Sequence, residues 1–496
     1  MWPSAMRIVS SLRRRPRGGP QAGSSLIATI ALTGVLALMV VASLTYAKST
    51  TAQTARVGRG DIALEAADAG VNRYISRLVE DPRYYDHWVD LAEDPRIDPY
   101  GVVHAPGTAW SPGVTWTYAP GPSQTWTDLQ DSRFGKASYS LRITPPPSNS
   151  DLVTVQSTAQ AGRNHPNPVT RSIQSQIHPT SIADFQMISN ATIKYGSTAT
   201  TTGKLYSAQD INHQGIAKAP AYAAHWVCSS NQFDCPSSSA PTSVFQAGAY
   251  DATTTPSFAD KFPTPIDFSQ FTRSRLDIKD AATTGGTAWN DPSADAWMVQ
   301  FLADGRMKVW KVTNTPNIGL QVGTLGCPQT LNVPANGAMY FEQSVIVSDG
   351  SNKTDSCNSS SGPRPSVVNG RVTIATKANV YIGGNITYAA SGDDVLGLIA
   401  ANELIIAKYT PSVLTWRAAS LAQAGQWRTY ESAADGQHSS MTYIGSQTTA
   451  NGGYASMFGS RTYTYDDTLK YLRPKFYPVL EGSWDTYYWR QVAPPA

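Results

Sequence analysis

The chain has 496 residues, 41% of them hydrophobic and 15% charged, with 38 glycines and 33 prolines. That apolar content excludes a disordered polypeptide, the length allows two to four domains, and the scarcity of charge beside many Ser, Thr, Gly and Pro favours strands and turns. Net charge is +3, but Arg7, Arg13, Arg14, Arg15 and Arg17 precede Gly23 with no acid among them. Without them the balance is near −2, which excludes a chain-wide electrostatic hold on nucleic acid, so no nucleic-acid partner is expected.

The first predicted element is helical. Residues 26–46, "LIATIALTGVLALMVVASLTY", carry no charge. At ~1.5 Å per residue they reach ~31 Å, the thickness of a bilayer's hydrocarbon core. Thr29, Thr33 and Ser43 can return hydrogen bonds to the helix backbone. The preceding arginines place Met1 in the cytoplasm and everything after Lys48 outside. The apolar run is too long for the core of an ordinary secretory signal, although Thr45-Tyr46-Ala47 is a tolerable cleavage site. No proline occurs between Pro20 and Pro82. Val57, Leu64, Val71 and Leu78 recur every seven residues, with Ala67, Tyr74 and Ile75 on the same side, which predicts an amphipathic continuation. One helix over 24–80 is therefore expected, its lower half in the membrane and its upper half under a globular head. Gly60 and Gly70 are expected to weaken it.

A basic leader ending in glycine, an apolar helix start and an amphipathic second half containing "ALEAADAGVNRY" (63–74) resemble type IV pilin-like proteins, and most of all the PilX-type minor pilins. The resemblance implies that a prepilin peptidase cuts between Gly23 and Ser24 and that the apolar segment stays in the mature protein. It also implies contact with membrane lipid and with other pilin subunits through this helix. Major pilins usually carry Phe or Met at the first mature position and Glu at the fifth, where this chain has Ser24 and Ala28. A buried carboxylate is costly without a partner, and a subunit lacking it suits a filament's tip or its initiation better than its middle. A plain signal-anchor helix that is never cleaved is the alternative.

After Pro82, an aromatic and proline-rich stretch is expected to form loops and short strands on the upper helix, with Trp110, Trp116 and Trp126 partly buried. Residues 137–178 contain three alternating runs, "SYSLRIT", "VTVQS" and "VTRSIQSQI", which predict an antiparallel meander. From 182 onward, "TGKLYSAQDINHQG" (202–215) and "NGRVTIATKANVYIGGNITY" (369–388) share a rhythm of Gly, basic residue, aliphatic residues, then Asp or Asn before Ile or Val. Short strands in that rhythm point to turns of a β-solenoid or a folded-over sheet. "DDVLGLIAANELIIA" (393–407) predicts a fully buried strand, a turn at Asn402 and a second strand. Residues 182–496 also resemble a domain of unassigned biochemistry often fused to PilX-type helices. The expected fold class is α+β, divided into a leader (1–23), a pilin-like helix (24–80), a pilin-like β region (81–180) and a mainly-β extracytoplasmic domain (181–496).

Cys228, Cys235, Cys327 and Cys357 form two sequence-local pairs. In a large β-rich chain they suggest disulfides in an oxidising compartment, with 228–235 and 327–357 expected because short loops close most easily. Zinc held with His213 and His225 fits no compact motif.

Catalytic patterns are lacking: there is no G-x-S-x-G, P-loop, H-E-x-x-H or dinucleotide-binding glycine pattern. Asp393 and Asp394 are adjacent, so on a strand they would face opposite ways. Asp349, Asn352 and Asp355 could approach a Ca²⁺ ion, but the segment lacks a calcium-loop pattern and reads better as a solvated loop tethered by Cys357. Arg273, Arg275, Lys279, Lys308 and Lys311 could form a local basic patch for DNA, though they read more simply as a solvated face. The sequence thus predicts a non-enzymatic minor pilin-like subunit without cofactor or metal, tip-located or assembly-initiating and possessing an outward head suited to adhesion. A membrane-tethered protein that binds or acts on polysaccharide is the alternative from another class.

Overall fold

A computed structural model of the chain describes residues 24–80, 84–86, 116–118, 126–129, 137–147, 150–163, 167–196, 199–224, 227–229, 235, 244–245, 267–357, 362–390, 392–430 and 436–494. Helix α1, Ser24–Glu80, is continuous for 57 residues, about 85 Å. It runs unbroken through both glycines. Gly70 faces the sheet so closely that a Cβ there would stand 2.7 Å from Ser157 Oγ and 2.7 Å from Tyr139 Cδ2. The helical weakness expected of this glycine is thus offset by a close approach that no other residue permits.

The upper part of α1 packs on an antiparallel sheet in the order Trp116–Tyr118, Ala137–Thr144, Val153–Ala161, Val169–Ser181, Val479–Val492. Ala66, Ala67, Val71, Tyr74 and Leu78 share a core with Tyr139, Leu141, Ile143, Val153, Val155, Ile173 and Ile177. These are the inward positions of the predicted meander. The predicted heptad starts too early, because Val57 is 65% exposed. Small residues, Ala63, Ala66 and Ala67, make much of the contact instead. The last strand was not foreseen: it crosses the whole body to pair with Val169–Ser181, and its Trp484 indole donates to Leu78 O at 2.9 Å. Trp110 and the Trp116 side chain lie outside the described residues. Trp126 is half-buried, with the Arg163 guanidinium 5.8 Å from its ring.

Between these last two strands the chain winds into a parallel β-solenoid. Ala338–Phe341, Arg371–Thr376, Val395–Ala400, Val413–Ala422 and His438–Thr449 stack in parallel as one sheet. Each coil continues into a second parallel sheet of Ser344–Val347, Val380–Ile382, Leu404–Ile406, Trp427–Thr429 and Gly453–Tyr454. Ile374, Leu398, Ile382, Ile406, Trp416 and Trp427 fill the space between the sheets, and Trp416 stacks on Tyr443 with centroids 4.2 Å apart. Val395–Ala400 is buried along its whole length. Leu396 and Leu398 enter that inner core, while Val395 and Ile399 meet Phe271 and Ile278 of helix α2, Phe271–Gly285, on the outer face. Coverage on both faces is why this strand reads as an uninterrupted apolar run.

The two passages with a shared rhythm are both coils. Lys204–Ser207 and Arg371–Thr376 belong to the same large sheet, and each leads into a strand of a second sheet, Ile211–His213 and Val380–Ile382. The N-terminal coils sit at the far end of the stack, since Phe185–Ser189 pairs in parallel with His438–Thr449.

Candidate functional site

The largest feature without an intramolecular partner is the lower half of α1. All side chains described between Thr29 and Gly58 are exposed, among them Ile30, Leu32, Leu36, Met39, Val41 and Leu44. This is the one helix among the described residues long and apolar enough to cross a membrane. Its hydroxyls are already satisfied: Thr33 donates to Thr29 O at 2.9 Å, Ser43 to Val40 O at 2.9 Å and Thr45 to Val41 O at 2.7 Å. A helix that meets its own polar needs loses little by leaving water. Gly23 lies outside the described residues; Ser24 is the first helical residue, and its side chain also lies outside them.

Cys228 is bonded to Cys235 and Cys327 to Cys357. All four thiols are thereby consumed, which removes the zinc alternative. His225 lies outside the described residues, and His213 is buried, its Nε2 3.1 Å from Thr201 Oγ1. Burial pushes the His213 pKa down to about 4. Among the described residues no group of His, Cys, Asp and Glu is placed to hold a metal.

Asp394 is a turn-former, accepting from Gly370 N and Ala390 N at 2.6 Å each. The loop of Asp349 and Asp355 is solvated at residues 352–354, 356 and 357, as expected, but its two aspartates are buried. Asp349 is buried against Arg364 Nη1 at 2.8 Å, and Asp355 accepts from the Trp310 indole at 3.2 Å. The described basic residues divide between helix α2, where Arg275 and Lys279 both contact Tyr340, and the strand Arg306–Thr313, which carries Lys308 and Lys311. Arg275 donates to Gln423 and Tyr340, Lys279 pairs with Glu342, and Lys311 pairs with Asp291. The Arg273 side chain lies outside the described residues.

Two acids unnoticed in the sequence sit where the sheet body meets the solenoid. Asp151 receives Arg371 Nη2 at 2.6 and 2.5 Å and Arg473 N at 3.0 Å. Burial alone would raise its pKa, but Arg473 and Arg371 outweigh burial and hold it below the usual range. Asp184 closes the turn Ile182–Asp184, where the chain leaves the sheet for the first coil. One oxygen accepts from Ser181 N at 2.6 Å, and the other is buried with no hydrogen bond. Burial pushes the Asp184 pKa up to about 7. His178 stands 3.9 Å away, its own pKa lowered by burial, so the contact joins two groups that both resist charging.

No protein-family model matches this chain, and no curated protein does. Among solved structures it is similar to the competence-associated pilin ComZ from Thermus thermophilus, at 15% identity and a TM-score of 0.31. The alignment covers 88% of this chain and 98% of that one. A likeness this distant transfers nothing from that protein to this one.

Proposed function

We propose that this chain is a non-enzymatic, pilin-like membrane subunit that assembles through α1 into a type IV pilus-like filament. The observation that supports it is the division of labour along one unbroken helix. Residues 29–47 leave a bare apolar surface, residues 48–58 are exposed and mostly polar, and the continuation buries its small-residue face on a β-sheet. A plain signal anchor needs only the apolar half; a helix that is also the spine of its head can move from lipid into a bundle of like helices without unfolding anything. In this reading a prepilin peptidase cuts between Gly23 and Ser24, and the solenoid faces outward as the adhesive part. The missing Glu at the fifth mature position, Ala28, favours the tip or the start of the filament.

The test is the N-terminal residue of the native protein, read by mass spectrometry of the membrane fraction. A chain starting at Ser24 supports the proposal. A chain starting at Met1 leaves a signal-anchored surface protein, and a chain starting at Lys48 makes it secreted; either ends the filament reading.

A further inference from the structure

The parallel sheet forks at its last full coil. Residues 438–444 of His438–Thr449 pair with Phe458–Thr464, whereas Gln447, Thr448 and Thr449 pair with Met187, Ile188 and Ser189. Gly445 stands between the two pairings, where a Cβ would fall 1.9 Å from Ala418 O. The branches diverge around a groove of about 870 Å³. That volume falls in the range of about 300–1,000 Å³ usual for a bounded ligand.

Three features of the groove point to a ligand class. Gln447, only 4% exposed, lines it and makes no side-chain hydrogen bond among the described residues. Its amide nitrogen lies 3.3 Å from where a Cβ on Gly453 would be, so the carboxamide faces another residue of the same lining. The amide is not among the side-chain groups buried without a partner, so it opens onto the groove, where a ligand offering both a donor and an acceptor can pair with it. Second, the lining carries two cations, Lys194 and Arg461, both exposed, and no acid among the described residues. Third, Tyr454 offers an exposed aromatic face, backed by buried Tyr195 and half-buried Tyr463. Tyr195 and Tyr463 pack edge to face at 5.9 Å, and Tyr454 is 41% exposed at the rim.

We propose that this groove binds an acidic oligosaccharide, a sugar chain bearing carboxylates. Vicinal hydroxyls pair with the Gln447 carboxamide, a tyrosine face takes the apolar side of a pyranose ring, and Lys194 and Arg461 receive the carboxylates. A nucleic acid fits less well, because two cations around a bounded cavity do not make the basic track that a phosphate backbone follows. Sugar binding is measured on dispersed protein, so it stands or falls apart from filament assembly.

The experiment titrates the full chain in detergent micelles by calorimetry with tetragalacturonate, tetramannuronate and sialyllactose, and with maltotetraose and octathymidylate as comparisons. Saturable binding is expected for at least one acidic sugar, about tenfold tighter than for maltotetraose, and weakened about tenfold by Lys194→Gln or Arg461→Gln. Both side chains are exposed, so these variants fold even if Gln447→Leu does not. Absence of saturation by all three acidic sugars, equal affinity for maltotetraose, or affinity unchanged in both charge variants would overturn the proposal. So would octathymidylate binding more tightly than any sugar and losing affinity in the same variants.

Discussion

Asp184→Asn is the substitution whose effect can be worked furthest. In the folded chain this carboxyl is pushed up to about 7 from the ordinary 3.8, with burial the largest cause. The folded state therefore binds the proton more tightly than the unfolded state does. The resulting stability is fully present below about pH 3.8 and is lost as pH rises through about 7. A displacement of that size is worth about 4 kcal/mol across the window. His178 acts in the opposite sense: its folded pKa lies below the ordinary 6.5, so its penalty fades as pH rises towards that value. Both proteins contain His178, so their difference keeps only the part of its titration that the 3.9 Å contact couples to Asp184. The asparagine oxygen can still accept from Ser181 N and cannot ionise. Urea unfolding of both proteins in detergent, from about pH 4 to about pH 8, should show their stability difference shifting by about 4 kcal/mol in favour of the variant. A difference that stays flat within about 0.5 kcal/mol would mean that Asp184 ionises as if exposed, and the reasoning from burial would be wrong.

Asp151→Ala leaves Arg371 and Arg473 without their carboxylate at the junction of sheet and solenoid. It should cost about 3–5 kcal/mol and split one urea transition into two, as followed by near-ultraviolet circular dichroism; a single transition at the native midpoint would refute this. Gly70→Val drives side-chain carbon into Tyr139 and Ser157 and should destabilise the helix-sheet contact by about 1–3 kcal/mol, with faster hydrogen exchange in Val153–Ala161. Gly34→Ala, with nothing within 4 Å of the added Cβ, should leave that exchange unchanged. The double variant Cys327→Ser/Cys357→Ser opens a loop of sequence separation 30 and should lower stability by about 2–4 kcal/mol. The loss is readable as an earlier thermal transition that a reductant moves less than it moves the native one.

What the sequence determined by itself is local. An uncharged run followed by a proline-free amphipathic stretch specifies α1, because helix formation depends on residues three and four apart. Alternation in 137–178 specifies three strands with one face inward. Proximity singles out the disulfide partners, and the apolar run of Val395–Ala400 reveals a strand covered on both faces. Helix α2 escaped notice, since its charged residues read as a solvated face while Phe271, Ile278 and Ala282 dock it.

What only the tertiary structure decided is which strands become neighbours. Solenoid strands such as Val380–Ile382 and Leu404–Ile406 are three residues long, too short for a periodicity of their own, and are held by the coils above and below. The closing strand Val479–Val492 pairs with a segment about three hundred residues earlier, and no local signal records that distance. The raised pKa of Asp184 and the placement of Gln447 on the groove belong to the same class. An aspartate or a glutamine looks alike in any sequence, and its chemistry is set by the water that folding removes from around it.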